Sequence, residues 1–210
     1  HNMRFFYYFC RKQIMQKKQI GIFPGSFNPI HCGHLILANY MCEFTYLDEV
    51  WFVVSPHNPL KEAQGLLDDE LRLQMAERAL EKFDKLKVSD IEFSMPRPSY
   101  TIDTLRLLSS ENPDKEFVLI LGGDNWRLFE QWKEYIRLRQ EFKILIYPRL
   151  GEEVTIPPEL AATISYVKAP IVEISSTFIR NSLKDGKDVR AFLPPAVYDM
   201  IQKNGYYCNR

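Results

Sequence analysis

Gly21-Ile-Phe-Pro-Gly-Ser-Phe-Asn-Pro-Ile-His-Cys-Gly-His34 is the stretch from which the rest of this 210-residue chain can be read. It begins as a short apolar strand, breaks at Pro24-Gly25 and leads into a helix opening near Gly33. Gly25 supplies a turn conformation closed to other residues and lets a ligand approach the backbone. The amides that follow it, Ser26 and Phe27 included, point out at a helix N-terminus, where the dipole favours an anion. His31 and His34 then set two imidazoles three residues apart on one side of the helix entry. A lone histidine would be read as a surface or capping residue. Here the strand, the glycine turn and the His-x-Gly-His spacing occur together, and the combination suits phosphoryl or nucleotidyl chemistry. No Gly-Lys-Ser/Thr follows, so this is not a Walker loop, and Gly-x-Gly-x-x-Gly is missing too. The two histidines have no third partner at a zinc spacing, so no protein-bound metal is expected.

Working outward, apolar runs alternate with helical periods. Gln19–Phe23, Val50–Val54, Lys87–Phe93, Phe117–Leu121, Phe142–Tyr147 and Ile164–Lys168 read as strands. The spacing of Leu71, Met75, Ala79, Leu80 and Phe83 predicts a helix over 68–83, capped by Asp68 or Asp69. Further helices are expected over 35–44, 100–109 (with Ser99 as cap), 176–183 and 195–203. The run at 117–121 is unbroken, as in a parallel strand covered on both faces. The alternation predicts one α/β domain, a Rossmann-like doubly wound parallel sheet with helices on both faces. Its functional loops belong at the carboxyl ends of the strands. Glu152–Glu159, with Pro157-Pro158, reads as a surface connection.

Composition narrows the function classes. The chain is 46% apolar and 26% charged with a formal net charge of zero, which argues against a nucleic-acid partner. No apolar run is long enough to span a bilayer, so no membrane role is expected. Cys10, Cys32, Cys42 and Cys208 follow no disulfide or metal spacing and fit a reducing, cytoplasmic setting. His1-Asn2 ahead of Met3 reads as a cloning remnant, and residues 1–18 as an N-terminal extension to a domain spanning 19–210. Met15 is a candidate natural start.

Ile174-Ser-Ser-Thr-Phe-Ile-Arg180 comes late in the chain. Serines at a helix start cap it, and their amides and hydroxyls also hold phosphate oxygens. Arg180 lies one turn beyond Ser176 and carries a forked donor. Alone, the segment would read as a plain capped helix. Together, the two segments resemble the nucleotidyltransferase superfamily with the His/Thr-x-Gly-His signature and its Ile-Ser-Ser-Thr-x-Ile-Arg motif. The resemblance implies attack on the α-phosphorus of a nucleoside triphosphate, with pyrophosphate leaving. It implies ATP contacts from Gly25, Ser26, Phe27, His31, His34, Ser176, Thr177 and Arg180, with Ile174-Ser175 near adenine. His34 would meet the reacting α-phosphate and His31 the β/γ-phosphates, with Arg180 completing the catalytic clamp. Magnesium would be carried on the ATP phosphates.

Three middle segments resemble acceptor-site segments of the bacterial nicotinate-nucleotide adenylyltransferase family: Ser55-Pro-His-Asn-Pro-Leu-Lys61, Ser99-Tyr-Thr-Ile-Asp-Thr104 and Leu121-Gly-Gly-Asp-Asn-Trp-Arg127. The resemblance covers Gln19 to the C-terminal helix and implies ATP and nicotinate mononucleotide as partners; a homo-oligomer is compatible with it. Tyr100 and Trp126 offer flat faces for a pyridine ring, and core packing is the competing role for each. Thr101 and nearby amides can bind the ring carboxylate and so select the acid over the neutral amide. Asp124 can approach ribose hydroxyls and the ATP side of the site, or cap a helix. Lys61 could neutralise a phosphate, with Asn58 beside it in the same segment. The alternatives are a related enzyme using nicotinamide mononucleotide or pantetheine phosphate, or a non-catalytic nucleotide-binding module.

Overall fold

The computed structural model describes residues 17–56 and 65–208. Asn58, Lys61 and residues 1–16 lie outside the described residues. Six parallel strands form one sheet in the order β3-β2-β1-β4-β5-β6. They are β1 (Lys18–Gly25), β2 (Glu49–Val54), β3 (Leu86–Ser89), β4 (Lys115–Gly122), β5 (Lys143–Tyr147) and β6 (Ile164–Tyr166). Seven α-helices accompany them among the described residues: α1 (Cys32–Phe44), α2 (Asp69–Leu80), α3 (Thr101–Glu111), α4 (Gly123–Arg127), α5 (Tyr135–Glu141), α6 (Ser176–Lys184) and α7 (Pro195–Asn204). This is the doubly wound α/β architecture expected from the alternation. β1 takes in Lys18, the last residue assigned to the extension.

Alternating side chains of the strands feed two separate cores, the period-two rule at work. One face joins Phe23, Phe52, Val118, Ile120 and Leu145 to α1, α2, α6 and α7 through Met41, Met75, Ile179 and Ile201. The other joins Ile20, Ile22, Leu119, Leu121 and Ile144 to α3 and α5 through Ile102, Leu105 and Leu138. Each such side chain, fully buried, is worth about 1.5–3 kcal/mol. The strand order reverses between β1 and β4, and the crevice at their carboxyl ends is where open α/β sheets bind ligands.

Local expectations needed correction at several points, among them the strand expected to reach Lys168, which stops at Tyr166. The strand expected to reach Phe93 stops at Ser89, and Ile91–Ser94 form a 3₁₀ turn. Ser99 does not cap α3; its hydroxyl donates to Glu92 at 2.8 Å, and Tyr100 holds the cap position. On α2, Arg72 is fully buried while Leu71 is only half-buried. The short helices α4 and α5 lacked a legible period, because one or two turns contain too few repeats. Asp68 does cap α2, accepting from the Glu70 amide at 3.0 Å.

Candidate active site

Gly25 ends β1 at the crevice, but its role is spatial. The left-handed backbone belongs to Phe27, with φ 44°, and a Cβ on Gly25 would lie 2.8 Å from the Phe27 ring. The turn therefore depends on a phenylalanine held in an uncommon conformation, with glycine making room for its ring. Phe27 is buried against Phe23, Phe52 and His34, which fixes it there.

His31 precedes α1 and is only 4% exposed. Its ring stacks on His34 with centroids 3.6 Å apart. The His31 amide donates to His34 Nδ1 at 3.2 Å. That bond makes Nδ1 an acceptor, so a neutral His34 carries its proton on Nε2. Burial, reinforced by the nearby Arg149 charge, pulls the His31 pKa down to about 3. His31 is therefore a neutral imidazole at physiological pH, and its Nδ1 is buried without a hydrogen-bond partner among the described residues. The glycine between the histidines explains their stacking. A Cβ at Gly33 would stand 3.1 Å from His31 Nδ1 and 3.2 Å from its Cε1.

The second motif docks directly onto the first. Ser175 caps α6, its hydroxyl accepting from the Phe178 amide at 3.1 Å. Ser176 Oγ donates to the Pro29 carbonyl at 2.9 Å, and Arg180 Nη1 to the Asn28 carbonyl at 2.8 Å. Arg180 Nη2 also donates to Thr177 Oγ1 at 3.3 Å. The N-termini of α1 and α6 thus converge on one cavity of about 300 Å³. Gly25, Ser26, Phe27, His31, His34, Asp124, Ile174, Ser175, Ser176, Thr177 and Arg180 all line it.

A neighbouring cavity of about 460 Å³ contains Tyr100, Thr101 and Asp124. The two share a wall made of Phe23, Pro24, Gly25, Asp124, Asn125 and Tyr147. Trp126 does not line either cavity. Its indole N–H donates to the Thr155 carbonyl at 3.1 Å and its ring stacks on buried Phe129, the packing role open to it from the start. Trp132 lines the larger cavity instead, with its Nε1 buried and lacking a hydrogen-bond partner among the described residues. Two tryptophans six residues apart were visible in the sequence. Choosing between them required the path of α4 and the 3₁₀ turn at Phe129–Gln131.

Three further polar residues escaped sequence reasoning. Glu92 is 4% exposed and accepts from Ser99 Oγ and Thr104 Oγ1, clamping the start of α3 where Tyr100 and Thr101 sit. Arg149, after β5, lies 3.7 Å from Asp124 Oδ1 and brings a guanidinium to the smaller cavity. Arg72 ties the loops after β1 and β2 together by donating to the Ser26, Ser55 and Pro56 carbonyls.

The sequence pattern of the cytidylyltransferase-like family matches residues 22–182. A Bacteroides fragilis protein named "probable nicotinate-nucleotide adenylyltransferase" is 56% identical over 187 residues, 89% of this chain and 92% of its own. Its namesake from Flavobacterium johnsoniae is 48% identical over 190 residues, covering 90% and 98%. The chain belongs to the nicotinate-nucleotide adenylyltransferase family. Like others of that family, it is a nucleotidyltransferase enzyme. Nicotinic acid mononucleotide adenylyltransferase of Plasmodium falciparum, solved in complexes with NaAD and with APC, shares the fold. The NaAD complex superposes with a TM-score of 0.75 at 23% identity, over 90% of this chain and 97% of that one.

Proposed function

We propose that this enzyme transfers AMP from ATP to nicotinate mononucleotide, releasing pyrophosphate and forming nicotinate adenine dinucleotide. The observation that carries the reading is the pair of cavities meeting at the β1/β4 switch point. One is lined by both phosphate motifs, the other by aromatic rings and a helix N-terminus. The names of the relatives support the choice of acceptor.

A phosphate oxygen of the acceptor attacks the α-phosphorus of ATP, and the bond from that phosphorus to the bridging oxygen of pyrophosphate breaks. The attacking oxygen is already anionic, so no side chain must remove a proton. The enzyme's contribution is alignment and charge stabilisation. His34 faces the α-phosphate as a hydrogen-bond donor through Nε2. His31 enters the reaction neutral, and the triphosphate's negative charge opposes the desolvation that holds its proton affinity down. Arg180, Ser176 and Thr177 hold the departing phosphates. Magnesium enters on the triphosphate as part of the substrate. On the acceptor side, Tyr100 and Trp132 bracket the pyridine ring, and Thr101 at the start of α3 receives its carboxylate. Asp124, on the shared wall, serves the sugar hydroxyls.

The test is pyrophosphate release with ATP and magnesium, comparing nicotinate mononucleotide, its amide and pantetheine phosphate. Strong turnover with the acid alone supports the reading. Equal use of acid and amide would discard the carboxylate-selective site, and turnover only with pantetheine phosphate would discard the acceptor.

A further inference from the structure

The larger cavity must accept an acceptor that carries a ring carboxylate, yet its interior is already acidic. Glu92 lines it, buried, and its carboxylate oxygens are held by the hydroxyls of Ser99 and Thr104 rather than by a cation. An acceptor carboxylate therefore enters beside an acidic side chain, whereas the amide analogue brings no charge. A cation close to the ring would favour the acid over the amide.

Two described cations line the cavity, Arg127 and Lys133. Arg127 pairs with Glu152 at 3.1 Å, and its side chain is 66% exposed. Lys133 follows Trp132 directly. Its Nζ lies 4.7 Å above the centroid of the Tyr100 ring and 2.8 Å from Asp103 Oδ2, on the first turn of α3. The ammonium is thus parked on the aromatic face that the pyridine ring would use, tethered by a carboxylate one turn away. An ammonium has three donors, and Asp103 takes one.

We propose that Lys133 is a specificity-determining residue that reads the acceptor's ring carboxylate, moving from the face of Tyr100 to the edge of the incoming ring while Asp103 keeps it in reach. The inference rests on the acceptor assigned above. It adds a charge-based selection to the hydrogen bonds expected from the start of α3. Its ion pair with Asp103 holds the ammonium at the cavity, and the substrate carboxylate takes up the remaining donors when it binds.

The experiment is steady-state pyrophosphate release at saturating ATP–magnesium, with nicotinate mononucleotide and its amide, for the parent enzyme, Lys133→Met and Lys133→Arg. Lys133 is 42% exposed at its side chain, so both variants should fold, and melting curves check this. For Lys133→Met, kcat/KM with the acid should fall about tenfold to a hundredfold, mostly through KM, the range for loss of a charge-assisted hydrogen bond. With the amide it should change less than about twofold, so the preference ratio collapses. Lys133→Arg keeps the charge and should keep the ratio. An unchanged ratio in Lys133→Met, or equal losses with both acceptors, overturns the proposal. A parent enzyme that does not use the acid overturns the acceptor assignment and this proposal with it, a result visible before any variant is made.

Discussion

Arg72→Met tests whether one buried guanidinium holds the floor of both cavities. Arg72 has no exposed surface and donates to the carbonyls of Leu67, Ser26, Ser55 and Pro56 and to Asp69. Methionine fills much of the same space but leaves four carbonyls without this donor. Asp69 keeps Arg97 at 2.9 Å, so its charge is not stranded. Some of the carbonyls can reach water, because Ser26, Ser55 and Leu67 are only half-buried, while Pro56 is buried. Each lost donor at a buried acceptor costs about 1–3 kcal/mol, and breaking a buried ionic network costs about 3–5 kcal/mol in all. We expect a loss of about 4 kcal/mol, which lowers the urea midpoint by roughly 1.3 M at a slope near 3 kcal/mol/M. Because Ser26 lies in the loop that we assign to the triphosphate, ATP affinity should fall under conditions where the variant is still fully folded. A midpoint shift below about 0.3 M would refute the reasoning, since it would mean that the network contributes about 1 kcal/mol or less.

Gly33→Ala should spare the fold, since Gly33 is only half-buried, but push the His31 ring off its present stacking position on His34. The contact asks the ring to give by a few tenths of an ångström, so we expect kcat to drop by less than the roughly hundredfold that a misplacement of about 1 Å costs, and near-parent turnover would show that the stacked pair is dispensable. His31 should make the protein acid-sensitive. Its folded pKa lies near 3 and its unfolded value near 6.5, so the unfolded state binds the extra proton and stability falls as pH drops through that window. This one group should cost about 2 kcal/mol between pH 7 and pH 5 and about 4 kcal/mol by pH 3. Urea titrations of His31→Gln should lack that slope, and an identical slope would assign the acid sensitivity elsewhere. Trp132→Leu should raise the KM for the acceptor about fivefold to tenfold, besides the stability it loses with its packing on Phe129. Trp126→Leu should cost about 1–2 kcal/mol, or about 2–8 °C, with KM intact. Swapped outcomes would mean that Trp126 is the ring platform after all.

Much of this protein was legible in its sequence because the decisive signals are local. Unbroken apolar strands such as Phe117–Leu121, separated by helical periods, specify a parallel sheet wherever they occur, since burial on both faces requires that pattern. The two motifs assigned to phosphate were equally legible. Gly25, His31, Gly33 and His34 sit within one strand-to-helix turn, Ser175 and Arg180 at the start of one helix, and short-range geometry puts each set on one side.

What tertiary structure decided are the relations between segments. That Arg180 and Ser176 reach the carbonyls of Asn28 and Pro29, about 150 residues away, follows from the strand order and from no local rule. The sequence pointed to glycine as the residue in an unusual conformation at the turn. The structure puts that conformation at Phe27, because three packed aromatic neighbours over-determine it. Arg72 occupies a position that a polarity pattern assigns to solvent, because the carbonyls that satisfy it come from two different loops. Trp126 and Trp132 are chemically identical and both pack on Phe129, and only the fold there brings Trp132 to the cavity as well. Composition and period fix which surfaces are buried. Which polar groups meet across the fold depends on chain connectivity, because hydrogen-bond partners distant in sequence are chosen only once the sheet has brought its loops to one edge.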